Sequence, residues 1–169
     1  MKTLSVVLAT RNEESNLEQC FDSVKAIADE IVVVDEHSTD KTREIAEEFG
    51  AKVFLEPHHD IFHVTKQIAL NKATGDWILQ LDADEVVTPE LAKEIIATVH
   101  GSPSTVHNRL FQRHQYLIEK RDGPIGKTTG NIVGYFIPRR NMFLGKPLIH
   151  AGVYPDGVIR LVEKGKAMF

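Results

Sequence analysis

The chain has 169 residues, 42% of them hydrophobic, enough to build a full core in one ordinary globular domain. A single cysteine, Cys20, excludes a disulfide framework and suits a reducing compartment. The net charge of −4 is modest, and no apolar run is long enough for a membrane span or a signal-peptide core, so a cytoplasmic protein is expected.

The first hundred residues alternate strand and helix. "TLSVVLA" (3–9) is a continuous apolar run, as in a parallel strand covered on both faces. Asn12 is then the expected cap of a helix carrying Leu17, Phe21, Val24 and Ile27 at helical spacing. Ile31 to Val34 make a second buried strand, stopping at Asp35. Ser38 or Thr39 is expected to cap a second helix, which Gly50 closes. "AKVFLEP" reads as a short third strand, residues 62–74 as a helix ending before Gly75, and "WILQL" as a fourth strand. Thr88-Pro89 opens another helix, with Leu91, Ile95 and Val99 on one face. Strands alternating with single helices imply an α/β fold with a parallel, doubly wound sheet.

Ligands of such sheets bind beyond the carboxyl ends of the strands. Three polar sets fall there: Thr10-Arg11-Asn12, Asp35-Glu36, and Asp82-Ala83-Asp84-Glu85. Each alone is explicable as a cap or turn, but together they mark one rim as a candidate site. The turn after the first strand, "ATRNEE", contains no glycine, so it is neither a dinucleotide-binding turn nor a phosphate-cradling P-loop. A phosphorylated ligand would then need another source of positive charge. Mg²⁺ or Mn²⁺ on Asp84 and its neighbours would supply it, since these ions are commonly shared between one or two carboxylates and substrate phosphates. On an extended segment Asp82 and Asp84 would face one ligand while Ala83 points into the fold. "PHHDIFH" gathers His58, His59, His63 and Asp60, but two of the histidines are adjacent and no helix-phased pair exists, so a rim loop is expected there.

"LSVVLATRNEESNLEQCFDSV", "EIVVVDEHSTDKT" and "ATGDWILQLDADE" resemble, in order and spacing, the signatures of family 2 glycosyltransferases of the GT-A fold. "GYFIPRRNMFLGKPLIHAGVYPDGVIRLVEKGKAMF" resembles the branch containing the lipopolysaccharide-core β-1,4-glucosyltransferases of cell-envelope biosynthesis. The resemblance implies a Rossmann-like sandwich with a mostly parallel central sheet, in one domain over 1–169. Residues 1–100 would be the nucleotide-sugar-binding half and 101–169 a partial acceptor-side half. It implies an inverting, metal-dependent hexosyltransferase that uses a nucleotide-diphosphate donor, UDP-sugar favoured, and a glycan or lipid-linked acceptor, without nucleic acid.

Residue by residue, the resemblance implies that Ala9, Thr10, Arg11 and Glu13 line the nucleobase pocket and that Asp35 accepts a hydrogen bond from a uracil-type N–H. Lys66 would stand near the nucleotide, and Asp82 and Ala83 would line the donor site. Asp84 would bind Mg²⁺ or Mn²⁺ directly as the second acid of a DXD motif, with Asp82 at the ribose or the metal's waters. After the Asp35 position the family often has a second Asp and a Gly, where this chain has Glu36 and His37.

The acids after Glu85 are Glu90, Glu94, Glu119, Asp122, Asp156 and Glu163, and the catalytic base is expected either among them or beyond Phe169. Asp156, in "YPDGVIRL", stands about where the resemblance expects it, although Pro155 and Gly157 beside it also mark a turn. Related sequences usually continue beyond a "RLVEKGKAMF"-like segment, so a C-terminally truncated chain is expected. A nucleotide-binding module lacking its base is the alternative to an active enzyme. A nucleotidyltransferase fits less well, because such enzymes open with a Gly-rich basic loop.

Charge divides the chain as well. Residues 1–100 carry 9 Lys and Arg against 20 Asp and Glu, whereas residues 101–169 carry 11 against 4. The basic half is expected to face an anionic partner such as a diphosphate, an acidic glycan or the inner face of a membrane, with solvated scatter as the plainer alternative. "NRLFQRHQYLIEKR" (108–121) reads as a strand or an amphipathic membrane segment.

Overall fold

Seven consecutive buried residues, Leu4–Thr10, form β1, which lies between two parallel neighbours. Such a strand needs apolar side chains on both faces, and "LSVVLAT" provides them. The chain continues through α1 (Leu17–Val24), β2 (Glu30–Asp35), α2 (Thr42–Glu48), β3 (Lys52–Leu55), α3 (Phe62–Lys72), β4 (Trp77–Leu81) and α4 (Pro89–Val99). Then come β5 (Gly134–Arg139), β6 (Met142–Phe143), β7 (Lys146–Pro147) and β8 (Asp156–Glu163). This computed structural model describes residues 1–101, 116, 119–120, 131–148 and 156–168. The chain divides into two units, Met1–Ser104 with Leu161–Phe169, and Thr105–Arg160.

In the first unit the strands run in the order β3-β2-β1-β4-β8, parallel from β3 to β4. β8 is antiparallel, with Leu79 opposite Leu161 and Ile78 opposite Val162. The mostly parallel sheet follows the expectation; the antiparallel strand, supplied by the last stretch of the chain, was not anticipated. On one face α3 contributes Ala69 and Leu70 to a buried cluster with Val7, Val32, Val34, Ile78 and Val162. By strand alternation Val6, Leu8 and Val33 face the opposite layer, and α1 packs beside α2 and α4. In the second unit β5 borders β8, and β6 and β7 form a separate hairpin. Of the stretch 108–121 only Tyr116, Glu119 and Lys120 are described, and they are helical rather than extended.

Two helix starts differ from the expectation. Asn12 caps nothing: it is left-handed, with φ 56°, and α1 begins at Leu17 with Asn16 as its cap position. Neither Ser38 nor Thr39 caps α2; Asp40 Oδ1 accepts from Thr42 N at 3.0 Å and from Thr42 Oγ1 at 2.5 Å. Ser38 is engaged elsewhere, as described below. Thr88 does cap α4, its Oγ1 accepting from Leu91 N at 3.2 Å, with Pro89 in the first turn. Gly50 ends α2 at φ 74°.

At the amino ends of the strands one acid holds three segments. Glu30 Oε2 accepts from Ser5 Oγ at 2.5 Å and Thr74 N at 2.8 Å, and Oε1 pairs with Lys52 Nζ at 2.7 Å. Burial pushes the Glu30 carboxyl up, but these donors outweigh it and hold it down at about 2, below its ordinary 4.5. A depressed folded-state value means stability that is present above the unfolded value and is lost as pH falls through the folded one. Glu30→Gln is therefore expected to lower stability by about 1–3 kcal/mol at pH 7. It should also remove part of the decline between pH 4.5 and about 2, both readable from urea unfolding at several pH values.

Candidate functional site

The order β3-β2-β1-β4 makes the chain leave β1 toward β2 on one side and return through β4 on the other. The carboxyl ends of β1 and β4 thus flank a topological switch point, where open α/β sheets form their ligand crevice. Register brings the polar sets to this rim: Thr10 stands opposite Asp35, and Leu8 opposite Leu81, so Asp82 to Asp84 emerge alongside the end of β1.

Asp35 and Thr10 are each 0% exposed. Asp35 Oδ2 accepts from Thr10 Oγ1 at 3.0 Å and Ser38 Oγ at 2.5 Å, while Oδ1 accepts from Ser38 N at 2.8 Å. Ser38 Oγ in turn accepts from Asn12 N at 2.9 Å, and Asn12 Oδ1 accepts from Thr39 N at 2.8 Å. Glu13 N donates to Thr42 Oγ1 at 2.7 Å, and Glu14 Oε2 accepts from Lys41 N at 2.9 Å. The two loops that wall the rim are laced together by side chains bonding to backbone. The Asp35 carboxylate, the expected acceptor for a nucleobase N–H, is buried, and its bonds go to both loops. Ala9 is likewise buried, whereas Arg11 is exposed and Glu13 half-buried.

Glu36, the second residue of the polar set after β2, is also buried. Its Oε1 accepts from Thr65 Oγ1 and its Oε2 meets His58 Nδ1 at 2.5 Å. Burial raises its carboxyl, but Thr65 and His58 outweigh that and lower it overall. Glu36 therefore ties the β3–α3 loop and the first turns of α3 to the end of β2.

α3 delivers Lys66, only 8% exposed, whose Nζ lies 2.5 Å from Asp82 Oδ1. Its ammonium is also 5.1 Å from the centre of the Phe62 ring. The acidic stretch is a turn rather than an extended segment: Glu85 N donates to Asp82 O at 3.0 Å, and Glu85 Oε2 accepts from Asp82 N at 3.0 Å. Ala83 is buried between half-exposed Asp82 and exposed Asp84. Beneath the turn, Cys20 Sγ lies 3.8 Å from Asp82 O. Burial first, then Glu85, Asp84 and Asp82, push its thiol up to about 12.

No group of three His, Cys, Asp or Glu side chains converges on one point among the described residues, the histidines near 58–63 included. Asp84 makes no hydrogen bond or ion pair with the described residues, and Asp82 stands beside a cation. One outward carboxylate with a second nearby suits Mg²⁺ or Mn²⁺ arriving with a diphosphate that completes the coordination, rather than a resident ion in a protein cage. A cavity of about 410 Å³ opens at the opposite end of the strands, lined by Ser5, Lys25, Glu30 and Lys52 among others, and none of the rim residues reaches it.

Asp156, the expected base, belongs to the second unit. It is the first residue of β8, and its Oδ2 accepts from Arg139 Nη2 at 2.5 Å and Asn141 Nδ2 at 3.4 Å. Among the described residues no helix is long and apolar enough to cross a membrane.

Residues 5–151 match the family model described as Glycosyl transferase family 2. Over 94 residues the chain is 46% identical to an uncharacterized glycosyltransferase of Rickettsia bellii, covering 56% of this chain and 32% of that protein. It is 27% identical over 179 residues to the lipopolysaccharide core biosynthesis glycosyltransferase LpsC of Rhizobium meliloti, covering 98% of this chain and 62% of LpsC. The solved glucosyl-3-phosphoglycerate synthase of Mycobacterium tuberculosis, in complex with Mn²⁺ and UDP-glucose, superposes with a TM-score of 0.50 at 27% identity. That superposition covers 59% of this chain and 40% of the synthase. The chain thus spans about a third of the Rickettsia protein's length and under two thirds of LpsC.

Asp35→Ala leaves Thr10 and Ser38 without their shared acceptor, and the expected loss of stability is about 1–3 kcal/mol. Urea unfolding measures it, and an unchanged midpoint would remove Asp35 from the role of loop clamp.

Proposed function

This chain belongs to glycosyl transferase family 2, and on that premise we propose that it transfers a hexosyl group from a UDP-sugar to a glycan or lipid-linked acceptor of the cell envelope, with inversion and with Mg²⁺ or Mn²⁺. The observation that carries this reading is the rim itself: a buried lysine paired with the first acid of D-A-D, and the second acid facing outward at the switch point. It is supported by the name of LpsC and by the Mn²⁺ and UDP-glucose of the mycobacterial synthase. A cytoplasmic location is part of the proposal, supported by Cys20 being a free, buried thiol.

The donor's base lies against the Ala9–Glu13 loop, where Arg11 and Glu13 reach the surface and Asp35 acts from behind by fixing Thr10. Asp84, with Asp82, would hold the cation, which when bound would supply positive charge to the departing diphosphate. Lys66 neutralises Asp82 and would be the cation within reach of a diphosphate oxygen at this rim. Ala83 keeps the turn seated in the fold, so the two acids do not swing with the ligand. In transfer the acceptor oxygen bonds the anomeric carbon as its proton passes to a carboxylate, and the bond to the diphosphate breaks on the opposite face. Asp156 is the assigned carboxylate.

The second reading, a nucleotide-binding module without turnover, has one observation in its favour. The Asp156 carboxylate is engaged by Arg139 and Asn141 within its own unit.

Calorimetry is expected to show UDP binding that strengthens with Mn²⁺, with Asp84→Ala removing most of the metal-dependent part. Lys66→Met should weaken UDP by about 1.5–3 kcal/mol, the range for a hydrogen bond to a charged group. Equal UDP affinity in excess EDTA would overturn the metal assignment.

For the chemistry, Asp156→Asn is expected to reduce transfer roughly 10²–10⁴-fold while sparing UDP affinity. Undiminished transfer by that variant would move the base to Glu119 or Asp122. UDP binding without any transfer by the unaltered chain would favour the module reading.

A further inference from the structure

We propose that the β6–β7 hairpin of the second unit is a membrane-docking element that inserts its apolar tip into the interface of an anionic lipid bilayer. This goes beyond the transfer reaction and does not depend on it.

The hairpin pairs Met142 with Pro147 and Phe143 with Lys146, and its two-residue turn is Leu144-Gly145. Both turn residues have positive φ, 47° and 74°. Such turns favour Asn, Asp or Gly at both positions, because a branched side chain in the left-handed region crowds its own backbone. Gly145 meets that requirement and Leu144 does not. Leu144 is also 88% exposed, beside Phe143 at 63% and Met142 at 55%. Folding thus explains neither the residue type nor its position. The turn geometry disfavours leucine, and no core receives its side chain.

Three consecutive large apolar residues at the end of a two-stranded hairpin gain stability only where something else covers them. Charge identifies what. Residues 131–148 contain Arg139, Arg140 and Lys146 and no Asp or Glu. Arg139 is committed to Asp156, whereas Arg140 and Lys146 are exposed on either side of the apolar tip. Apolar residues flanked by cations, without acids, suit a surface that is apolar inside and anionic outside. A bilayer carrying anionic headgroups has both properties.

The test is flotation of the 169-residue chain with vesicles of phosphatidylcholine, with or without phosphatidylglycerol. Binding is expected on the anionic vesicles and should weaken as salt is added. Leu144→Asn is the informative variant, because asparagine tolerates the left-handed turn and so preserves the hairpin while removing the apolar tip. It should weaken vesicle binding roughly tenfold, and replacing both Arg140 and Lys146 with Ser should weaken it further, roughly fivefold per charge. A Phe143→Trp chain should show a blue-shifted emission component, absent from the unaltered chain, that brominated lipid quenches. Absence of binding to anionic vesicles at low salt would overturn the proposal. So would binding that Leu144→Asn leaves unchanged, or a dimer in sedimentation that Leu144→Asn dissolves, which would make the occupant a second copy. No nucleotide enters the assay, so its failure leaves the transfer reading untouched.

Discussion

A carboxylate with no exposed surface can be kept in a fold only if its oxygens are satisfied, and Asp35 draws all three of its donors from Thr10 and Ser38. Those donors lie at the end of β1 and in the loop after β2, so satisfying the acid fixes both at once. The constraint then propagates. Ser38 receives Asn12 N, Asn12 turns left-handed and receives Thr39 N, and Thr42 receives Glu13 N. One wall of the crevice is therefore set before any ligand arrives, which reduces the ordering that binding must supply.

The acidic turn on the other wall resolves its own repulsion by giving each carboxylate a different task. Glu85 turns back to the backbone of Asp82, Asp82 faces Lys66, and Asp84 is left outward. The field of all three still reaches the layer below, where they reinforce burial in raising the Cys20 thiol. Lys66 is the counterweight. A lysine this buried is tolerable only with a partner, and it is carried by α3, the helix whose other residues close the core against β1, β2 and β4. Packing of an apolar helix face and neutralisation of the rim are thus one structural event.

The two units use apolar residues in opposite ways. In the first, strands β1, β2 and β4 are buried almost throughout, and the excess of acids lies mainly in loops and on helix surfaces. In the second, β5 is only partly covered, the hairpin carries its apolar residues outward, and the surrounding charge is basic. A core that closes on itself needs no outside partner. An apolar hairpin that buries little does.

Residues 1–99 were largely legible as sequence because their signals are local. Continuous apolar runs mark parallel strands, Thr88-Pro89 marks a helix start, and Gly50 marks a helix end, each through conformational preferences within a few neighbours. The rim was legible for the same reason, since every parallel strand brings its following loop to the same edge of the sheet. What could not be read were pairings between distant residues. Asn12 had the chemistry of a cap, but Ser38 and Thr39, 26 and 27 residues away, claimed it. Asp35 had the chemistry of a ligand contact, but its bond to Thr10, 25 residues earlier, was not visible in the local pattern. The antiparallel entry of β8 beside β4 and the ion pair between Lys66 and Asp82 belong to the same class. Local preference determined which elements form and in what order; only the packed structure, which brings remote donors to particular acceptors, decided which acids hold the fold and which stay exposed.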